Sequence, residues 1–116
     1  MNYRYRFLEI DAAPYRDLDG VGKLVGPTIS IIERATAGLV VRAGELPDLD
    51  FPGHQSYFVG VRFPAADQSA TREANQAVGQ LRAECGARKL PVVEVQETNE
   101  AHSKLIYQFG WGCSAG

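Results

Sequence analysis

The stretch QSYFVGVRFPAADQSATREANQAVGQLRAECGA, residues 55–87, decides the fold because its apolar residues change spacing halfway along. Over residues 55–63 they alternate, which predicts a strand with one apolar face. Gly60 inside this strand predicts a bulge or a close backbone approach. The side chains on the predicted apolar face are Tyr57, Val59, Val61 and Phe63.

Over residues 67–87 the apolar spacing becomes helical. Asp67 or Ser69 can cap the start of this helix, and Gly86 can terminate it. Because the predicted buried face is rich in alanine, the helix should lie close against a sheet. That face consists of Ala70, Ala74, Ala77, Val78, Leu81 and Cys85.

Toward the N-terminus, residues 2–10 alternate aromatic residues with arginines and predict another strand. Its aromatic face should be buried, and its arginine face should meet solvent. The aromatic side holds Tyr3, Tyr5 and Phe7, and the other side holds Arg4 and Arg6.

Residues 17–37 allow two interpretations. Their apolar spacing is helical, but Gly26 and Pro27 oppose one continuous helix. We favour a helix broken near Gly26 over a short helical turn followed by the strand TISIIE at 28–33. Residues 39–41 then begin a strand that ends near Gly44.

Two further strands are predicted at the C-terminal end, over residues 90–97 and 104–111. Glu94 and Glu97 would then point to opposite faces of one strand and would not form a carboxylate pair. In the last strand, one face would hold Leu105, Tyr107, Phe109 and Trp111. An edge strand with so much apolar area must be covered, either by its own helices or by a second copy of the chain.

The order of these elements predicts a single α+β domain over residues 1–116. Its first six elements match a split βαβ (ferredoxin-like) antiparallel sheet with two helices on one face. Residues 104–111 would add an extra C-terminal strand. We therefore expect a homodimer joined through that strand.

Composition restricts the function classes. A formal net charge of −2 gives no general attraction to nucleic acid or to an anionic membrane. Nucleic-acid binding would require Arg4, Arg6, Arg42 and Arg62 to gather on one sheet face. No secretion signal or membrane span is apparent, and two cysteines do not form a disulfide framework, so we expect a cytoplasmic protein.

Motif tests predict no cofactor, no metal and no catalytic residue. GVGKLVG, residues 20–26, resembles a phosphate loop, but Leu24 stands where a hydroxyl residue should follow the lysine. Zinc ligands usually come in pairs two to five residues apart. No such pair occurs among His54, Cys85, His102 and Cys113.

The connection GELPDLDFPGH, residues 44–54, is the best candidate for a binding segment. It carries three acidic residues and no lysine or arginine, and long ordered loops are often functional. Acids around an aromatic anchor suit a basic partner surface, such as that of a nuclease toxin. The predicted interaction residues are Glu45, Asp48, Asp50, Phe51 and Tyr57, with Trp111 in the last strand. We therefore predict a small non-enzymatic interaction protein, an inhibitor or immunity-type binder of another protein.

A second hypothesis is a homodimeric binder of small molecules, or an enzyme, with its site around His54 and Tyr57. A carboxylate such as Asp48 or Asp50 can orient an imidazole for proton transfer. The cleft would be lined by Tyr3, Tyr5, His54, Tyr57 and Trp111.

Overall fold

The computed structural model of the chain describes residues 2–10, 26–27, 29–30, 39–47 and 55–112. These residues form an α+β domain with a four-stranded sheet and two helices. Among them, no helix has both the length and the apolar character that crossing a membrane requires.

The sheet is antiparallel throughout. Its strands are β1 (Tyr3–Ile10), β2 (Val40–Pro47), β3 (Gln55–Pro64) and β4 (Val92–Val95). They lie in the order β2-β3-β1-β4, so β1 and β3 are central and β2 and β4 are the edges. Strand β2 runs three residues beyond the predicted end at Gly44, and β4 is shorter than the predicted 90–97.

The predicted alternation in β3 is confirmed. Its odd-numbered residues from Tyr57 to Phe63 are buried in one core together with Leu8 and Ile10 of β1. Phe58 points to the other face, where it contributes to a second core with Phe7. Both faces of the sheet therefore carry apolar side chains.

Gly60 marks a close approach, as its position inside a strand predicted. A Cβ atom at Gly60 would lie 2.7 Å from Cε1 of Phe7 and 3.0 Å from Cζ3 of Trp111. Two aromatic rings therefore rest directly on the strand backbone. Only glycine leaves them that space.

The predicted central helix is confirmed as α1 (Gln68–Ala87). The Asp67 carboxylate accepts a hydrogen bond from the backbone N–H of Ala70 at 3.0 Å, which caps its first turn. The six residues of the predicted apolar face are all buried against the sheet. Small alanine side chains let the helix and sheet lie close together.

The sequence suggested that Gly86 terminates α1, and the structure differs on this point. The helix continues to Ala87, and Lys89 takes the left-handed conformation with φ of 57°. The N–H of Leu90 donates to the carbonyl of Cys85, and the N–H of Lys89 donates to that of Gly86. These two bonds form a Schellman end in which lysine occupies the usual glycine position.

The predicted strand at 104–111 is wrong, because residues Glu100–Gln108 form a helix, α2. Asn99 caps it by accepting a hydrogen bond from the N–H of Ala101 at 2.9 Å. Leu105 is fully buried, whereas Tyr107, predicted on the same face, is 74% exposed. The edge strand through which a homodimer was expected is therefore absent from the part of the chain that the structure describes.

The two helices cover opposite faces of the sheet. Helix α1 packs over the core that contains Leu8, and the buried side chain of Ile29 belongs to the same core. Helix α2 packs over the second core, which consists of Phe7, Phe58, Leu105 and Trp111. The sheet is thus an inner layer between α1 and the C-terminal segment.

Only four residues of the ambiguous stretch 17–37 are described, and they are helical: Gly26, Pro27, Ile29 and Ser30. At Ile29 and Ser30 the structure thus has helix where the alternative interpretation predicted the strand TISIIE. The remaining residues of 17–37 lie outside the described ones.

Candidate functional site

Most of the predicted acidic segment lies outside the described residues. This holds for Asp48, Asp50, Phe51 and His54. The backbone of Glu45 is described in β2, where it is the register partner of Tyr57 in β3. The same register pairs Pro47 with Gln55, so β2 and β3 form a hairpin that residues 48–54 connect.

Tyr57 and Trp111 lie on opposite faces of the sheet. The Tyr57 side chain is 9% exposed and packs in the core beneath α1. Trp111 is 2% exposed and packs with Phe7 and Phe58 on the α2 side. A cleft within one chain lined by both Tyr57 and Trp111 is not formed.

Trp111 occupies the centre of an aromatic cluster. Its ring centroid lies 5.4 Å from that of Tyr5 and 5.7 Å from that of Phe109. The guanidinium of Arg42 lies 5.1 Å from the Trp111 ring, and Arg42 donates a hydrogen bond to the carbonyl of Phe109. These contacts fasten the segment after α2 to the sheet.

His102 joins α2 to β1. Its Nε2 lies 2.9 Å from the backbone oxygen of Tyr5, and its ring meets Phe7 edge-on at 5.1 Å. Since a carbonyl can only accept, Nε2 carries the proton that it donates. Strand β4 pairs with β1 only from Phe7 onward, so it does not reach Tyr5. His102 therefore supplies a hydrogen bond to the Tyr5 carbonyl just beyond the end of that pairing.

The four arginines of the nucleic-acid hypothesis are divided between the two sheet faces. Arg4 and Arg6 are in register with Phe63 and Val61, on the α1 side. Arg42 and Arg62 lie on the α2 side, where their guanidinium groups stand over Trp111 and Tyr3 respectively. The single basic face that this hypothesis required is not formed.

On the α1 side, Arg4 and Arg6 line a cleft of about 380 Å³. Alternation in β1 directs both arginines toward the first half of α1, where Thr71 and Asn75 are one helical turn apart. We use "charged cleft" for the site formed by the side chains of Arg4, Arg6, Asn75, Glu94 and Glu97.

Arg6 and Glu94 form the fixed part of the charged cleft. The Nε and Nη2 atoms of Arg6 donate to the two carboxylate oxygens of Glu94 at 2.8 and 2.7 Å, and its Nη1 donates to Asn75 Oδ1 at 2.6 Å. The guanidinium of Arg82 lies 3.7 Å from the same carboxylate. Such a two-point pair is geometrically specific and holds both groups in place.

The pair shifts both ionisation equilibria toward the charged forms. The hydrogen bonds from Arg6 lower the pKa of Glu94, against the opposing effect of burial. The same bonds raise the pKa of Arg6, again opposed by burial. Glu94 is thus an ionised hydrogen-bond acceptor with both oxygens engaged, which makes it a poor general base.

Arg4 and Glu97 form a more open contact at the mouth of the charged cleft. Nη2 of Arg4 lies 2.5 Å from Oε1 of Glu97, and the two side chains are 49% and 53% exposed. The Arg4 guanidinium also stands over the ring of Phe63 at 5.9 Å. Exposed pairs of this kind contribute little net stability, about 0–1 kcal/mol.

The other reactive groups of the described chain are poorly placed for catalysis or metal binding. Cys85 is a buried free thiol, and burial followed by the charge of Glu84 raises its pKa. It is therefore held in the less nucleophilic thiol form. Among the residues that the structure describes, no three His, Cys, Asp or Glu side chains could hold a metal ion together.

Sequence reasoning missed the charged cleft for two reasons. It placed Arg4 and Arg6 on a solvent face, and it placed Glu94 and Glu97 on opposite faces of one strand. Strand β4 ends at Val95, so Glu97 lies in the following turn, where alternation no longer applies. Arginines in one strand and glutamates in another were the available signal, but their pairing depends on β1 and β4 being neighbours.

No protein-family model matches this chain, and no curated protein is found to be similar to it. A function must therefore be inferred from the fold and from the residues described above.

Proposed function

We propose that this protein is a small cytoplasmic, non-enzymatic interaction protein, an inhibitor or immunity-type binder of another protein. The partner presents a basic surface, and a basic nuclease toxin is the class that fits best. The observation that supports the proposal is the antiparallel register of β2 and β3, which joins Glu45 and the connection 48–54, with Asp48 and Asp50 in its sequence, in one hairpin.

Along the sequence of this hairpin, Asp48 and Asp50 follow Glu45 within five residues. Glu45 is in register with Tyr57, and pairing continues through Pro47 and Gln55 before the connection 48–54 begins. Strand β2 is also an edge of the sheet, so a partner can approach it from the side. Acids at the border of an interface steer a basic partner and raise its association rate.

The acidic segment differs from the described acids of the charged cleft. Antiparallel registers put the hairpin connection at the Ile10 end of β1 and the charged cleft at the Tyr3 end. A basic partner on the hairpin would therefore not need to break the cleft's ion pairs.

The proposal is tested by capture of the partner. The tagged protein is incubated with lysate of its own source, and retained proteins are identified by mass spectrometry. One stoichiometric basic protein is the expected result. Capture of only the protein itself would contradict the proposal and favour the homodimeric ligand binder.

A double variant then locates the interface. Asp48→Lys with Asp50→Lys should weaken the captured complex by about tenfold or more, because like charges face the partner. Glu73→Lys with Glu84→Lys, on α1, is the matched control with the same change of net charge. Equal affinities of the two double variants would remove the hairpin from the interface.

The alternative, a small-molecule site around His54 and Tyr57, is less well supported. Tyr57 is engaged in the core beneath α1, so its ring has little surface left for a ligand. The homodimer also remains a proposal, but the C-terminal edge strand that was expected to join the two copies is a helix. Sedimentation of the purified protein, which separates one copy from two, tests it directly.

We also propose that the chain has a split βαβ (ferredoxin-like) fold. The order β2-β3-β1-β4 with antiparallel neighbours is consistent with a split βαβ (ferredoxin-like) arrangement. Its first helix would come from residues 17–37, and the buried, helical Ile29 beside the α1 core supports this. Backbone chemical shifts over 17–37 would contradict it if they were those of a strand.

A further inference from the structure

We propose that the charged cleft is a second binding site, and that it takes a carboxylate group in the place that the Glu97 side chain now occupies on Arg4. The site is independent of the acidic hairpin, which lies at the other end of the sheet. Glu97 is then an internal occupant that an incoming carboxylate displaces.

Arg4 is available for exchange. Its one described ion pair is the contact with Glu97, and both side chains are about half exposed to solvent. A guanidinium has five N–H donors, so one contact leaves most of them free to bind. The Phe63 ring, 5.9 Å from the guanidinium carbon, adds a weak cation–π contact on the protein side of Arg4.

The inner part of the charged cleft is already rigid and supplies further donors. Arg6 uses three of its five N–H groups on Glu94 and Asn75. Glu94 in turn is held by Arg6 and lies near Arg82. A ligand would therefore bind against fixed groups, which reduces the entropy lost on binding.

The charge of the site selects an anion. Arg4 and Arg6 balance the two glutamates of the cleft, so one positive charge is uncovered when Glu97 moves away, and Arg82 adds a further cation 3.7 Å from Glu94. A carboxylate is the anion that matches, because its two oxygens suit the planar fork of a guanidinium and Glu97 already occupies that position. A free small carboxylate and an acidic side chain of a peptide share this chemistry.

The test is a titration with sodium succinate, followed through the Nε–H resonances of Arg4 and Arg6 in two-dimensional NMR at constant ionic strength. We expect a saturable shift at Arg4. Glu97→Ala should bind succinate about two- to fivefold more tightly, because an exposed pair of this kind competes with the ligand to about that extent. In Arg4→Gln, the Arg6 resonance should no longer shift as succinate is added.

Glu84→Ala is the matched control. It removes a carboxylate from another exposed pair, with Arg88 at 3.3 Å, and changes the net charge by the same amount. Its affinity for succinate should equal that of the unmodified protein. Equal gains in Glu97→Ala and Glu84→Ala would overturn the proposal, since a general charge effect would explain both. Absence of a saturable shift at Arg4 in the folded Glu97→Ala variant would overturn it as well.

Two further probes identify the source of the carboxylate. The affinities of a tetraglutamate peptide and of succinate are compared after division by the number of carboxylate groups. A higher value for the peptide would indicate an acidic segment of a partner. Equal values would indicate a free small carboxylate. Inorganic phosphate that binds as tightly as succinate would contradict the choice of a carboxylate.

Discussion

Gly60 shows how one residue can determine the packing of a whole sheet face. Phe7 and Trp111 come within ordinary contact distance of the β3 backbone only because residue 60 has no Cβ atom. Trp111 belongs to the segment after α2. Residue 60 therefore links β3, its neighbour β1 and the C-terminal segment. Any larger residue must displace a buried aromatic ring.

We therefore expect Gly60→Ala to destabilise the protein by about 1–3 kcal/mol, the usual cost of overpacking. Urea unfolding monitored by tryptophan fluorescence measures it. Gly79→Ala is the matched control, because a Cβ at Gly79 meets nothing within 4 Å and the residue lies on the exposed face of α1. There we expect a gain of about 0.5–1 kcal/mol. Equal effects of the two substitutions would contradict the close approach at Gly60.

At the scale of elements, α2 is where pattern and structure disagree. Leu105 and Phe109 are four residues apart, so they share a face both in a strand, with period two, and in a helix, with period near four. Tyr107 separates the two possibilities, since it shares that face only in a strand. The structure exposes Tyr107 and buries His102 and Leu105 instead.

Two substitutions test α2 directly. Leu105→Ala should cost about 2–5 kcal/mol because it leaves a cavity beneath the sheet. Tyr107→Ala should change the free energy of unfolding by no more than about 0.5 kcal/mol, as for most exposed positions. Chemical denaturation of both variants gives the comparison. Similar large losses in both would indicate that Leu105 and Tyr107 share a buried face, as in the strand interpretation.

At the scale of the whole molecule, ion pairs of the charged cleft connect parts of the chain that are far apart in sequence. The pair of Arg6 and Glu94 joins β1 to β4, and Asn75 adds α1 to the same network. The Arg6–Glu94 pair is half-buried and has two hydrogen bonds. It therefore contributes more to stability than an exposed pair does, although solvent partly screens it. Its contribution depends on pH through Glu94.

The sign of that dependence follows from the lowered pKa of Glu94. A carboxylate whose pKa is lower in the folded protein contributes stability that is complete above its unfolded pKa, about 4.3 for glutamate. This contribution is lost as pH falls through the lower folded value. The raised pKa of Arg6 acts in the opposite sense, so its contribution is complete at every pH below the ordinary arginine range.

Glu94→Gln should therefore be less stable than the unmodified protein at pH 7, by roughly 1 kcal/mol after allowance for solvent screening. The difference should shrink as pH falls below about 4. Unfolding curves at a series of pH values measure this. Glu84→Gln, from an exposed pair on α1, should show a smaller difference at pH 7. A difference for Glu94→Gln that does not change with pH would show that Glu94 is not the titrating group.

The sequence by itself determined the elements whose pattern has one interpretation. Strands β1 and β3 and helix α1 follow from alternation or helical spacing over eight or more residues, and Asp67 marks the start of α1. At Gly60 the sequence predicted either a bulge or a close backbone approach, and the structure shows the close approach. These features are local, so neighbouring residues are sufficient to define them.

Only the tertiary structure decided the conformation of the C-terminal segment and the composition of the charged cleft. In the short run after Asn99, two periods fit the apolar residues, and burial against Phe7 favours the helix. The cleft joins Arg4 and Arg6 to Glu94 and Glu97, about ninety residues later. Such contacts depend on which strands are neighbours, and strand order is set by the packing of the whole chain.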